Sequence, residues 1–287
     1  MAGNFWQSSH CNQWLLDKLV ILKERQKDLE KLTEDEYTKV FIFYNGVIQA
    51  IGETLKVRQL VIATATLYFK RFYARNSLKC VDPLLMAPTC LFLASKVEEW
   101  GVLTNARLIG TCQTIVKNKF SYAFPTPEFN YRIQHILECE FYLLECLDCC
   151  LVVYHPYRPL TQFVADMGQE EQLLPLAWRI VNDSLRTDVS LMYPPFLIAL
   201  ASLHMACVIL QKDSKHWFAE LSVDLDKILE ITQYILKLYD LWKNYDEKTE
   251  IQTLLAKVPK PQSQPPSQGV ARSSPANFVR ISSHVSK

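Results

Sequence analysis

Residues 82–99 read DPLLMAPTCLFLASKVEE. Asp82 followed by Pro83 is a helix opening: the aspartate oxygen accepts a first-turn amide, and proline stands where no amide is needed. The run that follows is apolar through Ala94, so the spacing predicts a buried helix ending near Gly101. Its alanines suit a central place, because small residues let neighbours approach on every side. The last turn then changes character, with Lys96, Glu98 and Glu99 in quick succession. A lysine complements the negative end of a helix; two glutamates oppose it. Charges set against the dipole often answer to a partner, and a solvated helix end is the plain alternative.

Working outward, the chain predicts helices on both sides. Residues 7–31 read as one amphipathic helix, with Trp14, Leu15, Lys18, Leu19, Leu22 and Leu29 as its stripe. Thr33 and Glu36 form a capping box that restarts the chain as a helix. A further helix covers about 57–75, where Ala63, Ala65 and Thr66 permit close approach. After 82–99, Thr104 begins a short helix to about Asn118, and Thr126-Pro127 a long one to about Leu147. Counted from Thr33, these are five. The prolines of Tyr154-His-Pro-Tyr-Arg-Pro159 disfavour helix. Five more helices follow, over about 159–167, 171–187, 195–210, 213–221 and 223–244.

The second set repeats the first. At a shift of 112 residues Pro83 meets Pro195, Leu85 meets Leu197, Ala87 meets Ala199, Leu91 meets Leu203 and Ala94 meets Ala206. Each half therefore carries an Ala-rich helix opened by proline at the same offset, which reads as a duplicated five-helix unit. From Pro259 onward Pro, Gln and Ser dominate and no apolar period survives, so the tail is expected to be disordered. Ser274-Pro275 within it has the form of a proline-directed phosphorylation site.

Composition narrows the function. The chain has 287 residues, near the size at which one core gives way to two domains. Lys and Arg total 31 against 30 Asp and Glu, so nothing global calls for nucleic acid or an anionic membrane. Seven glycines are few for phosphate loops and many tight turns. There is no Gly-rich phosphate cradle, no HExxH and no G-x-S-x-G, and the six histidines are scattered. Nine cysteines, an odd number mostly inside apolar runs, suit reduced thiols in cytosol or nucleus. Cys146 and Cys149 make a CxxC without a second short ligand pair, so a metal site is not expected. Carboxylate pairs such as Glu98-Glu99 and Glu138/Glu140 sit on helices and read as surface or interface charges. No catalytic residues and no cofactor are expected.

The segment LASKVEE at 93–99, after its DPxxMAPTCLFLA lead, resembles the core signature of the cyclin box, and LECEFYLLECLDCCLVVYHPYRP at 137–159 is similar to the end of a first box in transcriptional cyclins. The resemblance covers about residues 10–250. Within the family, MAGNFWQSSH (1–10), FKRFYAR (69–75), SYAFP (121–125) and DMGQEEQLLPLAWRIVND (166–183) resemble the branch that serves the kinase of the Mediator complex.

The resemblance implies an all-α fold: an N-terminal arm and helix (1–32), a first cyclin box (33–152), a second (153–246), and a helix end with a disordered tail (247–287). It implies a non-enzymatic, nuclear regulatory subunit that activates the cyclin-dependent kinase of the Mediator kinase module, with other Mediator subunits as further partners and no direct contact with nucleic acid or membrane. Lys96 and Glu140 match the residues that hold the kinase's regulatory αC helix. Glu99, with Glu98, matches acids that face the kinase. Arg58 and Asp82 match a pair bracing the second and third box helices. The segment Lys56–Val61 keeps Arg58 but lacks the MRAIL-type patch of cell-cycle cyclins. Trp178, Asn182 and Asp183, with Trp6, offer a second partner surface; equally, Leu174, Val181 and Leu185 share the Trp178 face and would make it core. A cyclin H-like subunit, and a DNA-binding general-transcription-factor-like cyclin fold, are the alternatives.

Overall fold

Asp82 does cap the central helix: its Oδ1 accepts the Leu84 amide at 2.8 Å, and the helix runs Pro83–Val97. The structure, a computed structural model, describes residues 3–101 and 103–258. Among these residues all regular structure is helical. In the first half α1 (Ser9–Gln13) and α2 (Lys18–Leu29) lead into α3 (Glu34–Leu55), α4 (Gln59–Arg75), α5 (Pro83–Val97), α6 (Asn105–Asn118) and α7 (Ile133–Cys146). The second half holds α8 (Tyr157–Asp166), α9 (Glu170–Ser184), the single turn α10 (Val189–Met192), α11 (Pro195–Ile209), α12 (Lys215–Glu220) and α13 (Leu225–Lys243). The last helix is α14 (Glu247–Lys257).

The capping box is formed. Thr33 Oγ1 accepts the Glu36 amide at 3.2 Å, and Glu36 Oε2 accepts the Thr33 amide at 2.9 Å. α5 packs against α3, α4, α6 and α7, the central position its alanines imply. α11 takes the same place among α8, α9 and α13. Each has 15 residues, and their opening prolines stand 112 apart.

One core gathers α3–α7, and a second gathers α8, α9, α11 and α13. α4 serves both: Ala65, Tyr68 and Phe69 belong to the first, Ala63 to the second. Polar ties reinforce the junction. Arg25 of α2 grips Asp188 with both terminal nitrogens, at 2.6 and 2.8 Å. Lys70 of α4, fully buried, donates to the Thr187 carbonyl, and burial brings its pKa down to about 7. Leu16 donates its amide to the Leu191 carbonyl at 2.7 Å.

Three expectations need correction. Residues 7–31 are not one helix; the chain breaks between α1 and α2. The cause is Trp14, which is fully buried with the Arg75 and Arg71 guanidinium groups 3.9 and 4.8 Å from its ring centroid. Sinking that ring turns the chain, and Asp17 caps the next helix at Leu19. Leu19, placed on the expected apolar stripe, is consequently solvent-exposed.

The helix expected from Thr126 begins only at Ile133. Phe129 is pulled into the core, and the Tyr131 hydroxyl donates to Asp82 Oδ2 at 2.5 Å, which holds 127–132 out of helix. His135 Nδ1 accepts the Arg132 amide at the true start.

Finally, residues 247–257 do not merely end the preceding helix. They form α14, whose Ile251 and Leu254 pack into the first core. Lys39–Glu250 and Lys257–Glu36 contacts of 2.5 Å fix it to α3. The expected disordered tail and Ser274-Pro275 lie outside the described residues.

Candidate functional site

The last turn of α5 sits between α4 and α7, and its three charges have different fates. Lys96 forms an ion pair with Glu140 Oε1 of α7. Glu140 lies within the mostly buried stripe Ile136, Cys139, Glu140, Leu143 and is 8% exposed. The Lys96 side chain is 37% exposed, and its ammonium lies 4.4 Å from the Phe92 ring centroid. The pair keeps spare ammonium protons and carboxylate lone pairs, the donors and acceptors that a peptide backbone needs.

Apolar residues surround it. Leu137 and Phe141 flank Glu140 on α7, one helical turn apart, and Phe141 is 73% exposed. Leu60 and Trp100 are exposed at the adjoining ends of α4 and α5. Exposed aromatic and aliphatic side chains clustered in this way mark a protein-binding surface, and a charge pair among them would be desolvated on docking.

Glu98 is tied inward. Its Oε1 accepts from the Thr64 hydroxyl at 2.6 Å, and Thr64 Oγ1 lies 2.8 Å from His155 Nε2. A threonine has one hydroxyl proton. Given to Glu98, it obliges His155 to donate from Nε2, so His155 is the neutral Nε2–H tautomer. Burial, then the nearby Arg71 charge, lowers the His155 pKa to about 3. Burial raises the Glu98 pKa against the opposing Thr64 hydrogen bond. Glu98 thus joins the linker to the end of α5 rather than facing outward with Glu99. Glu99 itself is exposed, in a left-handed conformation at φ 52° that closes the helix.

Arg58 and Asp82 do not brace one another. Asp82 is spent on the Leu84 amide and the Tyr131 hydroxyl at the start of α5. Arg58 lies past its far end, 5.1 Å from the Trp100 ring centroid. Fifteen residues of helix, about 22 Å, intervene. No ion pair joins the two among the described residues.

The second surface is likewise largely consumed. Trp178 packs against Tyr157 in a tilted pair, ring centroids 4.6 Å apart, on the second core. Asn182 Oδ1 accepts from the Tyr157 hydroxyl at 2.9 Å and from Gln59 Nε2 at 3.2 Å. Asp183 accepts from the Tyr239 hydroxyl at 3.0 Å and faces Arg186 at 3.6 Å. The Gln59 contact ties the two halves together, and the others lie within the second. Only Trp6, 60% exposed and beside Phe196, presents a broad free face.

Leu137, Phe141, Thr64 and His155 escaped the sequence reading. For the first two a signal existed: they fall off the 136, 139, 143, 147 stripe that the helix buries. The remaining chemistry is quiet. Every described cysteine is free, and Asn76 donates to Cys146 Sγ at 3.1 Å. Among the described residues no group of three or more His, Cys, Asp or Glu is assembled for a metal, and no helix is long and apolar enough to cross a membrane.

Comparison with known proteins assigns the architecture. The cyclin N-terminal domain family model matches residues 16–152, and the cyclin C-terminal domain model residues 155–243. Cyclin-C of Drosophila pseudoobscura pseudoobscura is 70% identical, covering 92% of this chain and 99% of the relative. Cyclin-C of Rattus norvegicus is 67% identical, covering 94% and 95%. Among solved structures, a chain of the Chaetomium thermophilum CAK complex has TM-score 0.67 at 22% identity, covering 88% of this chain and 87% of that one. A chain of the yeast TFIIK (Kin28/Ccl1/Tfb3) complex has TM-score 0.64 at 25% identity, covering 80% and 100%. The chain belongs to the cyclin family, in its cyclin C group, and is a regulatory subunit rather than an enzyme.

Proposed function

We propose that this chain binds and activates the cyclin-dependent kinase of the Mediator complex in the nucleus, and so regulates RNA polymerase II transcription. The observation that carries the reading is the Lys96–Glu140 pair, framed by exposed Leu137 and Phe141 at the end of the central helix of the first box. The identity of 67–70% to Cyclin-C relatives favours this kinase over those of the solved neighbours, to which identity is 25% or less.

The mechanism follows from kinase chemistry. Phosphate positioning requires a Lys on the kinase's β3 strand to pair with a Glu on αC. A cyclin that binds only the αC-in state shifts the kinase toward it. Moving that equilibrium from about 1:99 to 99:1 takes about 5.5 kcal/mol of differential binding. In this reading Lys96 and Glu140 grip the backbone beside αC, Phe141 and Leu137 seat apolar side chains, and exposed Glu99 faces a basic residue. Arg58, over Trp100, stiffens the rim of the same face.

The test is co-expression with the Mediator kinase, wild type beside Lys96→Ala/Glu140→Ala. Wild type should bind and stimulate phosphorylation; the double variant should retain its helical circular dichroism and lose both. Equal behaviour of the two would remove this face from the mechanism. Failure of wild type to bind would point to another transcriptional kinase.

A further inference from the structure

A cleft of about 650 Å3 opens between α4, the 76–82 loop and the C-terminal end of α7, and two cysteines line it, Cys80 and Cys146. Lys96, Glu140, Leu137 and Phe141 of the docking centre do not. Both thiols are held in place. Ser77 and Leu78 donate to Asp28 at 2.6 and 3.2 Å, and the Tyr73 hydroxyl donates to the Val81 carbonyl at 2.8 Å, so Cys80 sits on a loop pinned on either side of it. After α7, Asp148 and Cys149 take successive left-handed conformations at φ 51° and 54°, a strain that residues other than glycine rarely carry. Arg75 holds that bend, donating to the Cys146 carbonyl at 3.0 Å and to Asp148 Oδ2 at 2.6 Å. The Asn76 side-chain amide donates to Cys146 Sγ at 3.1 Å, which ties this sulfur to the base of the loop that carries Cys80.

The two sulfurs suit different roles. Cys80 is exposed, so a small oxidant reaches it. Cys146 is half-buried, and burial raises its pKa; the Asn76 hydrogen bond and the Arg75 charge oppose that rise, and the neighbouring Asp148 and Cys80 charges add to it. Cys146 is therefore the slower of the two toward an oxidant from solvent. It nevertheless has a donor and a cation in place to stabilise its thiolate as it attacks a neighbouring sulfur. Competing cysteines are placed elsewhere. Cys90, Cys112, Cys139 and Cys207 are buried, and Cys150 Sγ donates to Gln13 Oε1 at 3.1 Å. Cys149 is exposed but does not line the cleft.

We propose that Cys80 and Cys146 form a peroxide-sensitive dithiol that closes to a disulfide across this cleft. The Cys80 thiolate attacks hydrogen peroxide; an S–O bond forms, the O–O bond breaks, and hydroxide leaves a sulfenic acid behind. The Cys146 thiolate then attacks the Cys80 sulfur; the S–S bond forms, the S–O bond breaks, and a second hydroxide leaves. The protons released by the two thiols neutralise the two hydroxides. The thiols are oxidised and the peroxide is reduced, giving one disulfide and two waters. The link joins the 76–82 loop to the end of α7, the helix that carries Glu140 and Phe141, and a thiol reductant reopens it.

The test is peptide mapping of the full chain. Reduced protein is treated with hydrogen peroxide at two protein concentrations, alkylated, cut with chymotrypsin and read by tandem mass spectrometry. Wild type is compared with Cys80→Ser and Cys149→Ser, both at exposed positions, so the variants keep their fold. The expected result is a Cys80–Cys146 linked peptide in wild type, equal at both concentrations and removed by dithiothreitol. The Cys149→Ser chain should form it to the same extent. The Cys80→Ser chain should lack it and leave Cys146 open to alkylation, with an increase of about tenfold over peroxide-treated wild type. A link from Cys146 to Cys149 overturns the proposal, as does Cys80 passing to sulfinic acid without a link. A link whose yield grows with protein concentration also overturns it, by assigning the bond to two copies of the chain.

Discussion

α5 and α11 each run 15 residues from a proline, and each closes through a left-handed residue, Glu99 at φ 52° and Gln211 at φ 53°. The closing hydrogen bonds match too. The Trp100 amide reaches the Ser95 carbonyl at 3.1 Å, and the Lys212 amide reaches Cys207 at 2.8 Å. On this shared backbone the side chains diverge. Where α5 carries Lys96 and Glu98, α11 carries Val208 and Leu210, both exposed. Lys96 and Glu98 are held by Glu140, from α7, and Thr64, from α4; Val208 and Leu210 have no polar counterpart. Packing around a central helix therefore fixes where each repeat ends, and the residues at that end are free to specialise. Only the first repeat has built an organised polar centre there.

Breaking the pair should have the largest effect. Lys96→Ala/Glu140→Ala should weaken kinase binding by about 2–5 kcal/mol, read as Kd by titration calorimetry. The same substitutions should cost the free protein less than about 1 kcal/mol, since Lys96 is more than a third exposed and its pair is screened by solvent. That contrast between binding and melting separates a docking role from a structural one.

The repeat itself can be tested at matched positions. Ala94 and Ala206 are both fully buried in central helices. Ala94→Leu and Ala206→Leu should each destabilise by about 1–3 kcal/mol in denaturant melts, and by similar amounts, because both overpack a surrounded helix.

Effects of similar size but confined to the first repeat should follow the polar chain behind α5. Thr64→Val leaves Glu98 and His155 without their shared hydroxyl and should cost about 1–3 kcal/mol. Thr64→Ser should recover most of it. α11 has no counterpart of this chain, so hydrogen exchange should quicken at the end of α5 alone.

A further effect concerns pH and is absent at neutral pH. His10 is buried, and its Nδ1 accepts the Tyr154 amide at 3.0 Å, which requires the neutral ring. Burial, then the nearby Arg71 charge, lowers its pKa to about 3 from an ordinary 6.5. The unfolded chain therefore binds the extra proton first as pH falls. Stability contributed by His10 is complete above about pH 6.5 and is lost as pH drops toward 3, at up to about 1.4 kcal/mol per pH unit. His10→Gln should reduce the fall of the melting temperature between pH 6 and 4, leaving the part that buried His155 contributes.

Much of the fold was legible because its signals are local. Asp82-Pro83, the Thr33–Glu36 box and the matching prolines of α5 and α11 each declare a helix start within four residues. The failures came where distant partners overrode local pattern. Trp14 broke a helix whose periodicity continued, because Arg71 and Arg75 await its ring. Phe129 and Tyr131 delayed α7 because the core and Asp82 claim them. The site was legible only in part for the same reason. Family resemblance named Lys96 and Glu140, 44 residues apart, but periodicity could not bring them together. It paired Arg58 with Asp82, which the length of α5 keeps apart. It offered Asn182 and Asp183 as a partner surface, although Asn182 ties the second half to Gln59 of the first and Asp183 is held by Tyr239 and Arg186.

The most direct test exchanges the two helix ends. Lys96→Val/Glu98→Leu gives α5 the apolar end of α11, and Val208→Lys/Leu210→Glu gives α11 the polar end of α5. Kinase affinity would be measured for wild type and both variants by calorimetry, with circular dichroism confirming the fold. The account predicts that the first exchange abolishes binding and the second leaves affinity within about twofold of wild type, a change worth less than about 0.5 kcal/mol. Binding retained by the first variant, or lost by the second, would contradict it.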